Sequence, residues 1–398
     1  MAAQLQLSRD TDVYASIQDS TGERYYWKLP ILDGFSFSQS TATTEVAVNE
    51  MADVNGVSRR GRKMFTDAFE PAEWNLQMYA RPHRTATGDH AHTTDELLWA
   101  NFVNAGAYTH STRQWTNAIT KTSTAAGSAS NLTVDFNDSN VSALGTFDLF
   151  FVLGGCGTLP QNYNGAAGQG QTIYKIEKAV CNSVTMDFDI DGILTLDWSG
   201  LGSLIKQETS MPAAVSGNWY DYIIDDGVAH GNDNFIRNRL STLEITTATG
   251  AGSPYSETSY ELTLTGGSIS FENNLTYLTP EELCVVNQPL GNVTGTRNIS
   301  GSFTCYLNSG TNATAGTSAE LFDDLARAVG IVNNSTDLLF SIGGKVAAPK
   351  LEVDIPTAHL EIPTHQIEDI IGLEVNFHAL PSSLDQTNEA TVKYHKEV

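Results

Sequence analysis

Alternation of apolar and polar positions dominates this chain. Tyr25-Tyr26-Trp27-Lys28-Leu29, Phe35-Ser36-Phe37-Ser38 and Glu73-Trp74-Asn75-Leu76-Gln77-Met78-Tyr79 place apolar side chains on every second residue or in short runs. Leu132-Thr133-Val134, Phe147-Asp148-Leu149-Phe150-Phe151, Tyr260-Glu261-Leu262-Thr263-Leu264, Ser268-Ile269-Ser270-Phe271 and Ile299-Ser300-Gly301-Ser302-Phe303 do the same. Period two is the signature of a half-buried strand. The pattern turns helical at only two places, from Thr93 to Gly106 and from Thr317 to Gly330. Each opens on Thr-x-x-Glu, in which the hydroxyl and the carboxylate can satisfy orphan N–H groups at a helix start, and each closes on Gly, the residue that enters the left-handed region most cheaply.

The two helical segments are echoes. Thr93 and Thr317 are 224 residues apart, and so are Gly106 and Gly330. The strands before each helix also correspond, Tyr25–Ser38 with Tyr260–Phe271 and Glu73–Tyr79 with Arg297–Tyr306. After each helix, Asp189-Ile190-Asp191-Gly192-Ile193 resembles Asp369-Ile370-Ile371-Gly372-Leu373 at a separation of 180. The shorter separation predicts a Gly/Ser/Asn-rich insert in the first copy, at about 108–170. The chain therefore reads as two tandem copies of one mainly β domain with one flanking helix each: residues 1–206, a linker at 207–231, and 232–398.

Composition narrows the function. The 398 residues carry a net charge of −24, with only 22 Lys and Arg against 46 Asp and Glu. Wrapping the outside of DNA needs clustered cations, so that class is excluded, whereas a like-charged conduit that DNA passes through without adhering is compatible. The four cysteines, Cys156, Cys181, Cys284 and Cys305, show no metal or redox spacing. The N-terminal segment has no apolar signal core and no stretch has the length of a membrane helix, so the expectation is a soluble protein made in a bacterial cytoplasm.

Three groups of motifs show similarity to one family. They are Gly34-Phe35-Ser36-Phe37-Ser38-Gln39 with Thr43-Thr44-Glu45-Val46, then Ser58-Arg59-Arg60-Gly61-Arg62-Lys63 with Pro71-Ala72-Glu73-Trp74, and Met186 to Ile193 with Asp197-Trp198-Ser199-Gly200. Together these resemble the tail tube proteins of tailed phages, over most of the first half and through the repeat over the second. The resemblance implies β-sandwich or partly rolled barrel domains, and a virion structural role with no enzymatic activity and no cofactor. It implies rings of six domains, here three duplicated chains with pseudo-sixfold symmetry, stacked around a DNA channel. The implied partners are further copies of the chain, a tape measure protein, a tail terminator and baseplate or tail-tip proteins. DNA would pass through the lumen without sequence-specific binding, and no membrane is involved. Glu45, Glu50, Asp187, Asp189, Asp191, Glu272 and Glu374 are candidates to face the channel. Arg59, Arg60, Arg62 and Lys63 are candidates for contact between rings. A baseplate hub built from the same domain and a carbohydrate-binding β-protein are the alternatives.

Other constellations carry little chemistry. Asp187-Phe188-Asp189-Ile190-Asp191-Gly192 matches half a calcium loop, but its twelfth position is Trp198 rather than a bidentate Glu, so the polar face of a strand is expected. His83, His90 and His92 read as a solvated loop. The Gly-rich runs at Gly154–Gly157 and Gly165–Gly170 lack the Lys of a phosphate loop.

Overall fold

The computed structural model describes residues 7–19, 21–46, 62–84, 91–109, 112–122, 131–136, 142–154, 172–211, 219–220, 235–247, 255–310, 315–327, 335–344, 349–367, 369–384 and 386–396. The chain opens with β1 (Thr11–Gln18), β2 (Arg24–Leu29), β3 (Ser36–Ser38), β4 (Thr41–Val46), β5 (Lys63–Phe69) and β6 (Ala72–Tyr79). A short hairpin, β7 (Pro82–Arg84) and β8 (Ala91–Thr93), leads into α1 (Glu96–Phe102). Next come β9 (Tyr108–Thr109), β10 (Gln114–Trp115), β11 (Ile119–Lys121), β12 (Asn131–Asp135) and β13 (Phe147–Leu153). The long β14 (Thr172–Asp189) is followed by β15 (Thr195–Gly202), β16 (Ile205–Glu208) and β17 (Trp219–Tyr220). The second half holds β18 (Thr242–Thr247), β19 (Ser259–Leu262), β20 (Leu264–Glu272), β21 (Thr276–Leu278), β22 (Gly291–Val293) and β23 (Asn298–Tyr306). It ends with α2 (Ser318–Arg327), β24 (Thr336–Ile342), β25 (Lys350–Leu360), β26 (Thr364–Gln366), β27 (Gly372–Ala379) and β28 (Thr391–His395).

The mainly β fold is as expected. In the first half the antiparallel pairings run β2–β1–β13–β14–β15–β6–β3. In the second they run β19–β18–β24–β25–β27–β23–β20. The two orders match strand for strand, and α1 and α2 fall at the same point in each. The partners align Trp198, opposite Leu76 and Val184, with Phe377, opposite Gly301 and Leu360. That separation is 179, one residue less than the sequence echo in the preceding turn suggests, because pairing follows the buried face and a one-residue slip would invert it.

The halves are joined by backbone. Ser183–Asp189 of β14 pair antiparallel with Glu272–Gly266 of β20. β14 can serve two sheets because it bends: Lys178 takes a φ of +50°, and the register shifts between Cys181 and Ser183. Its first part pairs with β13 and β16, its second with β15 and β20. Trp99 on α1 seals the joint from beneath. Its ring lies 4.9 Å from Trp198 and 5.8 Å from Phe271 of the second half, and Phe136 stacks on Phe271 at 5.4 Å. The C-terminal strand completes the joint, since β28 pairs with both β12 and β25.

Several local expectations need correction. The sheet stays open: among the described residues no strand closes it into a barrel. The reciprocal cap forms only at α2, where the Thr317 N–H and hydroxyl donate to Glu320 (2.7 and 2.9 Å) and the Glu320 N–H donates to the Thr317 hydroxyl (3.4 Å). At α1 the cap residue is Asp95, and the Glu96 carboxylate turns inward to Lys121 (2.6 Å), His92 (2.6 Å) and the Trp115 indole (2.7 Å). Asn104, with a φ of +50°, stops α1 ahead of Gly106, while Gly330 lies outside the described residues. His92 is buried and His83 half-buried; they stack at 5.7 Å in the β7–β8 hairpin, and desolvation lowers both below the usual imidazole range. His90 lies outside the described residues. Phe147–Leu153, expected inside the insert, is a central strand between β1 and β14. The linker region begins within β16, and at Trp219–Tyr220 it pairs parallel with β2.

Two neighbouring carboxylates under α1 respond to burial in opposite ways. Burial pushes Asp95 up to about 6, against hydrogen bonds from Thr93 and Tyr394. Burial also works to raise Glu96, but Lys121 and then His92 outweigh it and hold the group well below the usual range. Because Asp95 titrates higher folded than unfolded, its stabilising effect is complete at low pH and is lost as pH rises through about 6. Asp95→Asn is expected to remove a loss of about 2–3 kcal/mol between about pH 4 and pH 6. Glu96→Gln leaves a buried ammonium without its counter-charge and is expected to cost about 3 kcal/mol or more at pH 7. Denaturant unfolding followed by circular dichroism from about pH 4 to pH 7 checks both.

Candidate functional site: the polar face of the joined sheet

The β14–β20 joint makes one sheet path through both halves, β3–β6–β15–β14–β20–β23–β27–β25, with β26 continuing β25 along β27. One face packs on the core through residues such as Trp74, Trp198, Val184, Phe271, Phe303 and Phe377. Period two then sends the intervening residues to the other face. The register sets them in rows across the strands. One row runs Gln77, Asp197, Thr185, Ser270, and continues through Ser300 and His378 to His359. The next runs Thr195, Asp187, Ser268, Ser302, Asn376.

Small hydroxyl residues concentrate at the joint, where Ser183 meets Ser199 at 2.7 Å and Thr185 meets Ser270 at 3.3 Å. Two glycines permit close packing on the strands that flank it, Gly200 on β15 and Gly301 on β23. A Cβ on Gly200 would stand 2.0 Å from the Val180 carbonyl, and one on Gly301 would stand 2.2 Å from the Ser268 carbonyl and 2.7 Å from the Phe377 ring.

The charge on this face has one sign in its carboxylates and no strong cation. Glu73, Asp187, Asp189, Asp197, Glu272 and Glu374 project from it, and the segments that carry these rows (183–189 of β14, 358–360 of β25, and β3, β6, β15, β20, β23 and β27) contain no Lys or Arg, with His359 and His378 in the first of the rows. Burial, with repulsion from Asp187, raises Asp197 above the usual carboxylate range despite a hydrogen bond from Gln77. Glu361 lies at the far edge, 3.5 Å from His378.

The sequence candidates separate accordingly. Asp187, Asp189, Glu272 and Glu374 sit on this face, with Gln366 donating to Glu374 at 3.0 Å. Asp191 lies in the turn after β14, 3.5 Å from Arg239. Glu45 is on the exposed β4–β5 arm, 3.5 Å from Arg62, and the Lys63 ammonium lies 4.8 Å from the centre of the Phe65 ring. Glu50, Arg59 and Arg60 lie outside the described residues. Glu73, Asp197 and Glu361 were missed; the alternation around Glu73 and Asp197 was the signal that could have found those two. Among the described residues no group of three His, Cys, Asp or Glu side chains is arranged to hold a metal, and no helix is long and apolar enough to cross a membrane.

No protein-family model matches the chain. It is 26% identical over 388 residues to the tail tube protein pb6 of Escherichia phage T5, an alignment covering 97% of this chain and 75% of that protein. The chain is thus similar to a phage tail tube protein almost from end to end. That similarity supports a structural role in a phage tail tube, self-association and a place in the virion tail.

The close approach of the strands beside the joint is testable. Gly301→Val is expected to cost about 3 kcal/mol, because overpacking against backbone cannot relax. At Gly291 a Cβ meets nothing within 4 Å, so Gly291→Ala is expected to change stability by less than about 1 kcal/mol. Thermal melting of the two variants beside the parent protein compares them.

Proposed function

We propose that this protein is a duplicated tail tube subunit, three copies of which close a pseudo-sixfold ring and stack into a hollow tube that conducts DNA. The observation that carries the reading is the single polar face, free of Lys and Arg, that runs unbroken across both halves. The matching pairing orders support two tandem copies, and the β14–β20 joint is then an internal example of the contact between neighbouring domains. The far side of β3 corresponds to the side of β20 that pairs with β14. Head-to-tail repetition of such a contact closes a ring only at a fixed rotation, and duplication sets half of those contacts covalently. Ring closure also disposes of the open sheet edges, which otherwise invite uncontrolled pairing.

On this reading the carboxylates of the polar face line the channel. They repel phosphate at short range, while the hydroxyl and amide groups keep the wall wetted, so DNA slides without adhering. A tape measure protein fills the channel before DNA does, and terminator and baseplate or tail-tip proteins cap the two ends of the stack.

Cryo-electron microscopy of purified tails, or of tubes assembled from the protein, tests the assembly. Threefold rings of whole chains are expected, and sixfold rings of whole chains would exclude the trimer. The channel is tested by Asp187→Lys combined with Asp197→Lys and Glu374→Lys. Tubes of that variant are expected to assemble and to retain double-stranded DNA at low salt, releasing it as salt rises. DNA retention equal to the parent's would remove these residues from the wall.

A further inference from the structure

The polar face ends at a half-paired edge. Among the described residues, Glu361–Gln366 has a strand neighbour on one side alone: the Glu361 N–H donates to the Asn376 carbonyl at 2.9 Å, and β26 pairs with β27. Because Trp198 aligns with Phe377, Val184 aligns with Leu360 and Met186 with Ile362. Met186 is buried opposite Ile269 of β20, whereas Ile362 is 59% exposed. β20 in turn corresponds to β3, Phe271 to Phe37 and Glu272 to Ser38. In the three-copy ring, β3 of the next copy therefore meets this edge, with Phe37 opposite Leu360. Apolar side chains then meet on the core side and polar ones on the channel side throughout, as they do at the β14–β20 joint.

The two joints carry different chemistry. Within the chain Ser183 meets Ser199 and Thr185 meets Ser270. The places of Ser183, Ser199 and Thr185 are taken at the edge by His359, His378 and Glu361. His359 and His378 are directly opposite each other across β25 and β27. The Glu361 carboxylate lies 3.5 Å from His378 Nε2 and accepts from the Asn376 amide at 3.0 Å. The bond from Asn376, then His378 and His359, holds Glu361 below the usual carboxylate range against its slight desolvation.

Among the described residues, the strong charges that face this pair are carboxylates. β27 adds Glu374 on the same face as His378, and β23 adds only Ser300 and Ser302. Arg297, at the start of β23, turns to the other face, 5.1 Å from the centre of the Phe136 ring and 3.3 Å from Glu389. His365 also turns away, 4.5 Å from Phe322 of α2. From the next copy, β3 adds Ser36 and Ser38, and β6 adds the exposed Glu73 beside Ser38, with Glu70 further along. Adjacent strands lie about 4.8 Å apart, so the row His378–His359–Ser38–Glu73 brings the incoming carboxylate to within about 10 Å of His359.

We infer that His359 and His378 make the contact between copies proton-dependent, by placing imidazolium charge among Glu361, Glu374 and the next copy's Glu73. This rests on the tube reading and adds a regulator to its ring. Imidazole is the side chain whose charge changes across the neutral range. Assembly adds a carboxylate to the surroundings of the pair, so the ring binds protons more tightly there than the free chain does. The contribution is complete at low pH and is lost as pH rises through the imidazole range. The two imidazolium groups repel each other, and Glu361 offsets this because it lies beside both.

The test is the concentration of free chain left beside assembled tubes, measured by sedimentation at about pH 5.5 and about pH 8. For the parent it is expected to be lower at the acid pH by about tenfold or more. His359→Ser with His378→Ser gives the edge the residues of the joint inside the chain, and should bring the two values within about threefold. Glu73→Gln, on the opposite side of the contact, should reduce the parent's ratio as well. Equal values for the parent, or the parent's ratio retained in the serine variant, would overturn the inference. So would loss of assembly by the serine variant at both pH values while its free chain melts as the parent's does, since the imidazoles would then act without their charge. Should that variant melt earlier than the parent, Glu73→Gln decides, and an unchanged ratio there overturns the inference. A parent that forms no tubes at either pH sinks the tube reading itself, whereas tubes with equal values sink only the proton dependence.

Discussion

The structure depends on one run of backbone hydrogen bonds between Ser183–Asp189 and Glu272–Gly266. Without it the first-half path from β2 to β3 and the second-half path from β19 to β20 would be separate sheets, each with an open edge. With it, the rows of side chains continue from one half into the other, and the apolar face becomes one core. The joint is costly to disrupt because it is sealed from the core side. Trp99, Trp198 and Phe271 come from three elements and Phe136 from the residue after β12, and each loses packing if the strands part.

The bend in β14 is what permits this. A straight strand of 18 residues would remain in one sheet, whereas the left-handed Lys178 and the shift at Asn182 let β14 leave β13 and present a new edge to β20. Asn182 then ties the bulge to the second half, accepting from the Asn273 N–H at 2.9 Å through its carbonyl and from the Leu275 N–H at 2.8 Å through its side chain. The same asparagine that interrupts the ladder thus receives donors from the chain that crosses there.

Beneath the joint the two halves solve one problem differently. α2 uses Thr317 and Glu320 as a local cap. α1 gives its Glu96 to Lys121 and its Asp95 to Tyr394 of the last strand, so the helix start becomes a tie between distant segments. Identical Thr-x-x-Glu patterns therefore have different roles, decided by whether a buried cation lies within reach.

Strands and helices were legible because period two and period 3.6 are local features. The acids of β14, β20 and β27 were legible for the same reason, since alternation assigns a face without reference to a partner. Glu73 and Asp197 carried the same signal but became neighbours of the others only once β6, β15 and β14 were placed side by side. The burial of His92 against a half-buried His83, the inward turn of Glu96 and the central place of Phe147–Leu153 were not legible. Each depends on contacts between residues far apart in the chain. The sequence by itself determined a mainly β, acidic protein with a polar and an apolar side to its alternating strands. Only the tertiary structure decided that the two polar sides are one surface, because strand pairing across the halves is a choice of partner, and hydrophobic periodicity does not encode partners.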